Sequence, residues 1–120
     1  MKYLTSDGDY WVNVENQIAA VGLTQKAIME YGVCLVISAK IAPGQRVRAG
    51  MPVIAFETIH RLGCLTSPIE GQMTAANGQP HEHDPILLQW ETPLFILRDV
   101  TTIPSTLIQQ QDNNNEMFGL

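Results

Sequence analysis

The sequence predicts a small all-β barrel or sandwich with one short helix. Short apolar or alternating runs recur along the 120 residues between Gly, Pro and Asn punctuation, the pattern of many strands joined by tight turns. Only residues 24–31 carry helical spacing, and that stretch is too short to be stable without docking on a sheet. The composition is 45% hydrophobic and only 7% aromatic, so the core should be aliphatic.

Tyr10-Trp11-Val12-Asn13-Val14-Glu15 alternates, with Tyr10, Val12 and Val14 on one face and Trp11, Asn13 and Glu15 on the other. Asn16-Gln17 then turns the chain into Ile18-Ala19-Ala20-Val21-Gly22, which reads as an opening β-hairpin. Thr24 is placed to cap the helix and Gly32 to end it, with Leu23, Ala27, Ile28 and Tyr31 on the docking side. Val33-Cys34-Leu35-Val36-Ile37-Ser38 is a continuous apolar run, expected to be a strand covered on both faces. Ala42-Pro43-Gly44 marks a turn, Arg46 to Gly50 sends its charges outward, and Pro52-Val53-Ile54-Ala55-Phe56-Glu57 climbs into a second hairpin whose return arm is Leu62 to Thr66. Gln72 to Ala76 makes a further strand ending at Asn77-Gly78, residues 79–85 form a polar loop, Ile86 to Leu88 resumes the apolar pattern, and Leu94 to Leu97 closes the fold. Beyond Pro104 the run Gln109 to Asn115 can bury nothing, so the domain is expected over 1–103, with 104–120 a disordered polar tail.

Bulk properties exclude several function classes. The formal charge is −5 with a pI near 5.0, and the seven basic residues are scattered, so no nucleic-acid-binding face is expected. The first residues lack a signal-peptide core or transit-peptide character, and no apolar run is long enough to span a bilayer, so a soluble cytoplasmic protein without membrane contact is expected. Cys34 and Cys64 lie in apolar surroundings and are expected to be buried free thiols. Trp11, Trp90 and Phe95 read as core or rim aromatics.

The candidate functional residues gather where the second hairpin reverses. Glu57, Thr58, His60 and Arg61 stand together between two apolar arms, which places them at a solvent-facing tip. His60 titrates near neutral pH and can act as nucleophile or ligand, but no orienting carboxylate or base accompanies it in the sequence. His81, His83 and Asp84, joined by His60 or Cys64, have acceptable ligand chemistry for zinc or copper, although the spacing is as much that of a polar loop and surface loop residues are the ordinary reading of His81 and His83. Cys64 is four residues past His60. It is open to two readings, a thiol activated by His60 or Arg61, or a packed core residue on the face shared by Leu62 and Thr66.

The chain resembles the H protein of the glycine cleavage system, a relative of lipoyl domains. The resemblance covers about residues 9–98 and rests on Trp11-Val12, Val21-Gly22-Leu23-Thr24, Tyr31-Gly32, the apolar Val33 to Ile37, and Gly44, Val47 and Gly50 in a Gly-x-x-Val-x-x-Gly turn. The family's central Glu-Ser-Val-Lys, followed eight residues later by Pro and then Gly, is similar to Glu57-Thr58-Ile59-His60, Pro68 and Gly71; its later Val-Asn turn corresponds to Ala76-Asn77. The resemblance implies a lipoyl/biotinyl-like flattened barrel-sandwich hybrid and a carrier rather than an enzyme. In the family the tip lysine is lipoylated and the lipoyl dithiol carries an aminomethyl group between enzymes. Here that position is His60, whose imidazole cannot form the attaching amide, and no lysine follows Lys40, so no lipoyl cofactor is expected. The family's Gly-Trp-Leu pattern near the end is also replaced, by Thr92-Pro93-Leu94-Phe95, and the Met-Lys-Met tip of a biotinyl domain is unmatched.

The expected function is therefore an H-protein-like, non-lipoylated module that binds proteins of glycine cleavage or lipoate metabolism through Glu57, Thr58, His60 and Arg61. The alternative is a carrier or metal-binding protein using His60, with Cys64, His81 or His83.

Overall fold

In the computed structural model, residues 1–59, 61–76, 86–87 and 89–111 are described. Strand β1 (Lys2–Thr5) pairs antiparallel with β2 (Tyr10–Glu15), which reverses into β3 (Ile18–Leu23) through Asn16 and Gln17. Both turn residues have positive φ, 51° and 65°, as a two-residue type I′ hairpin requires if its twist is to match the strands it joins. The expected opening hairpin is present.

Helix α1 (Gln25–Tyr31) follows. The Thr24 hydroxyl oxygen accepts the Ala27 N–H at 3.3 Å, while its O–H donates to the Gly8 carbonyl at 2.6 Å. At the other end Gly32, at φ 79°, donates its N–H to the Ile28 carbonyl at 2.9 Å, a conformation in which a Cβ would be strained. Leu23, Ala27 and Ile28 are buried and Tyr31 is half-buried, so the docking face is the one the spacing indicated.

Strand β4 (Val33–Ala39) pairs with β6 (Pro52–Thr58), and β6 with β7 (Leu62–Thr66). Cys34 and Ile37 are both buried although three residues apart, because a bulge between Cys34 and Val36 changes the strand's parity. Val33 is 40% exposed, so β4 is not covered on both faces along its whole length as expected. Strand β5 (Arg46–Val47) comes after a turn in which the Gln45 N–H reaches the Ala42 carbonyl, with Pro43 then Gly44 at φ 90° in the central positions of a type II turn. Strands β8 (Gly71–Ala76), β9 (Ile86–Leu87) and β10 (Phe95–Arg98) complete the body.

Two antiparallel sheets result. The larger, joined by a last strand β11 (Leu107–Gln109), has the order β11-β1-β2-β3-β10-β8-β5 and the smaller β7-β6-β4-β9. Between them lie Val12, Val21, Ile37, Val53, Ile54, Leu65, Ile69, Met73, Phe95 and Leu97, all under 2% exposed, the aliphatic core that the composition indicated. The short dimension of the molecule is 18 Å against 37 and 32 Å, a flattened sandwich two sheets thick.

The last element, β11 (Leu107–Gln109), corrects the expected domain limit at 103. It pairs antiparallel with β1 and adds an edge to the larger sheet. The Leu107 N–H closes a turn on the Pro104 carbonyl at 3.1 Å, Leu107 is buried, and the Gln110 N–H donates to the Lys2 carbonyl at 2.7 Å. Backbone pairing with β1, together with one inward leucine, holds a segment whose polar composition alone suggested disorder. Residues 112–120, the rest of that expected tail, lie outside the described residues.

Tyr10 ties the two sheets together: its hydroxyl accepts the Thr66 N–H at 3.1 Å, joining β2 to the edge strand β7. Burial is the main reason its pKa is pushed up to about 12. The folded state thus favours the neutral phenol, so the stabilisation is whole below the unfolded value near 10 and is lost as pH rises through about 12. Urea midpoints followed from pH 8 to 12 should fall more steeply in the wild type than in Tyr10→Phe, the difference reaching about 2 kcal/mol. At neutral pH the variant should be about 1 kcal/mol less stable, because it leaves the Thr66 amide unpaired.

Candidate functional site at the hairpin end

The β6–β7 hairpin closes on a hydrogen-bonded pair, and its outer face is open. Thr58 donates its N–H to the Arg61 carbonyl at 2.7 Å, and below that pair Glu57 faces Leu62, Phe56 faces Gly63 and Ala55 faces Cys64. Alternation sends Phe56 and Thr58 inward, 6% and 5% exposed, and Glu57 and Ile59 outward. On the return arm Leu65 is buried while Leu62 and Cys64 are exposed. Ile59 is 73% and Leu62 82% exposed, with Met29 at 77% the most exposed large apolar side chains among the described residues.

Helix α1 braces this end. The Arg61 guanidinium lies over the Tyr31 ring, 5.0 Å from its centroid, and Tyr31 in turn packs on Phe56 with ring centroids 5.1 Å apart and tilted by 56°. Gly63 faces the Phe56 ring across the ladder, and a Cβ there would make an ordinary contact with it at 3.4 Å. Burial raises the Tyr31 pKa; the Asp9 carboxylate raises it further and Arg61 opposes the shift. Cys34 lies beside Thr58 across the sheet, and burial raises its thiol pKa, keeping it protonated and unreactive.

Several of the sequence expectations for the tip are placed here and some are corrected. Glu57 and Arg61 are exposed as expected. Thr58, expected to be a docking residue, is instead buried, because position 58 shares the inward parity of Phe56. Cys34 is a buried thiol as expected; Cys64 is not, because it shares the outward parity of Leu62 on an edge strand. Ile59 and Leu62 were not singled out from the sequence. The signal available was their register with Glu57, which fixes them on the solvent side once Phe56 and Leu65 are assigned to the core. His60, His81, His83 and Asp84 lie outside the described residues. Among the described residues no cluster of three His, Cys, Asp or Glu is arranged to hold a metal ion, and no helix is long and apolar enough to cross a membrane.

The aromatics expected at core or rim occupy those places. Phe95 is 1% and Trp11 8% exposed, and the Trp11 indole N–H donates to the carbonyl of the half-buried Trp90 at 2.6 Å.

The class that these elements define is a two-sheet antiparallel β-sandwich module with an exposed, helix-braced hairpin end. Residues 1–90 match the family model described as glycine cleavage H-protein, and the chain belongs to that family. Proteins of this family are carriers and not enzymes, and membership implies partners within the glycine cleavage system. Among solved structures the chain is similar to a glycine cleavage system H protein from Mycobacterium marinum, with a TM-score of 0.62 and 17% identity over 89% of this chain and 88% of that one, a likeness of fold. No curated protein matches the chain.

Proposed function

We propose that this chain is a glycine cleavage H-protein-like module that binds partner proteins of glycine cleavage or lipoate metabolism through its hairpin end without carrying a lipoyl group. The observation that carries the reading is a preformed outer face of Glu57, Ile59 and Leu62, held in place by Arg61 on Tyr31, at a tip whose sequence contains no lysine. Amide-linked lipoate needs a lysine amine, and the three lysines of the chain do not fit that role. Lys26 pairs with Asp9 at 3.0 Å and Glu30 at 3.2 Å, Lys40 adjoins Val53 at the opposite end of β6 from the tip, and Lys2 is on β1 in the other sheet. On this reading Glu57, Ile59, Leu62 and Arg61 form the docking set, and position 60 is neither an attachment point nor needed for docking.

Capture of glycine cleavage enzymes on the immobilised chain tests this. Wild type and His60→Ala should bind alike, whereas Ile59→Asp should weaken capture by about tenfold or more. Equal capture by Ile59→Asp, or loss of capture on His60→Ala, would overturn it. A second reading, that His60 with Cys64, His81 or His83 carries a group or a metal, is favoured by one observation, the exposure of Cys64 on the same outer face as Glu57. It requires an adduct or bound metal on the native protein.

A further inference from the structure

Strand β7 is an edge of the smaller sheet, and its ladder determines where its backbone groups point. Because Thr58 and Arg61 form a hydrogen-bonded pair, alternation makes Glu57–Leu62 a non-bonded pair, Phe56–Gly63 a bonded pair and Ala55–Cys64 a non-bonded pair. The N–H and C=O groups of Leu62 and Cys64 therefore point away from β6. Thr66 has the same outward parity, and its N–H is already taken by the Tyr10 hydroxyl. Among the described residues nothing takes the corresponding groups of Leu62 or Cys64.

Edges of this kind are normally blunted by a charge, a proline or a covering segment. Leu62-Gly63-Cys64-Leu65-Thr66 contains no charge and no proline, although the whole chain carries −5. A close approach of two copies along this strand thus brings no like charges of β7 together. The free stretch is also short and symmetric: two residues with outward backbone groups on either side of Gly63, bounded by the Tyr10-capped Thr66 on one side and by the turn on the other. Such a stretch is complementary to itself under a two-fold axis, whereas a longer foreign strand would meet the closed Thr66 amide.

We infer that β7 pairs with β7 of a second copy of this chain, antiparallel about a two-fold axis at Gly63. Leu62 of each copy then exchanges both backbone hydrogen bonds with Cys64 of the other. The alternative two-fold register, which sets Cys64 against itself, would need the Thr66 amide that Tyr10 occupies. The two small sheets become one continuous sheet, with both hairpin ends on the same structure and their outer faces still open. This inference does not rest on the lipoylation state or on the docking partners proposed above. Three residues per strand bury little area, so the dimer should be weak and reversible.

Sedimentation equilibrium of the full chain under reducing conditions tests it, alongside amide hydrogen exchange at low and high concentration. The weight-average mass should rise from 13.3 kDa toward twice that value with concentration. Over the same range, exchange at the Leu62 and Cys64 amides should slow by about tenfold while that at Gly63 is unchanged. Leu62→Pro removes one outward N–H and no ladder bond to β6, and should leave the chain monomeric. A monomer up to about 1 mM chain, or association that leaves the Leu62 and Cys64 amides unchanged, would overturn the inference. Should Leu62→Pro fail to fold, the wild-type amides alone decide.

Discussion

Replacing Gly22 with alanine is expected to lower the unfolding free energy by about 3 kcal/mol. Gly22 faces Trp11 across the β2–β3 ladder, and the indole lies flat against the glycine. A Cβ there would stand 2.4 Å from two indole carbons and 2.7 Å from the indole nitrogen, inside any real contact distance. The ring has to move, and moving it breaks the 2.6 Å hydrogen bond from its N–H to the Trp90 carbonyl, the link between the opening hairpin and the segment entering β10. A lower urea midpoint with an unchanged slope would show lost stability without a change of fold. The same substitution made in a Trp11→Leu background should cost under about 1 kcal/mol, because the colliding ring is gone.

A loss of about 3 to 5 kcal/mol is expected for Phe95→Ala. Phe95 is 1% exposed in β10, which is paired on both sides, with Val21 of β3 and Ala76 of β8, so the strands around the cavity are held and cannot collapse into it. Domains of this size hold roughly 5 to 15 kcal/mol in total, so the variant should be close to the limit of folding at 37 °C. Thermal unfolding monitored by circular dichroism measures it.

Local sequence chemistry made much of this fold legible. Asn16-Gln17 between two alternating runs gave the first hairpin, Thr24 and Gly32 bracketed the helix, and Ala42-Pro43-Gly44 marked its turn, because each depends on backbone preferences of neighbouring residues. What escaped depends on partners distant in sequence. Leu107 to Gln109 becomes a strand only because β1 offers an edge more than a hundred positions away. Trp11 is buried although it alternates with Val12, because Gly22 and the Trp90 carbonyl cover the other face of the sheet there. At the tip, the sequence located the exposed end and its charged residues but not which side chains face out. Thr58 and Cys64 exchanged their expected environments once the register of β6 and β7 was fixed. The bracing of Arg61 by Tyr31 could not be read at all, since it joins residues thirty positions apart through a helix end.

On the reading proposed above, the hairpin end docks partners while carrying nothing. The most direct test is the intact mass of the protein purified from its own cells under conditions that preserve labile adducts and metals, with peptide mapping across residues 52–70. An unmodified, metal-free chain is the predicted result. A lipoyl group on any lysine, or an adduct or metal held at His60 or Cys64, would contradict the account.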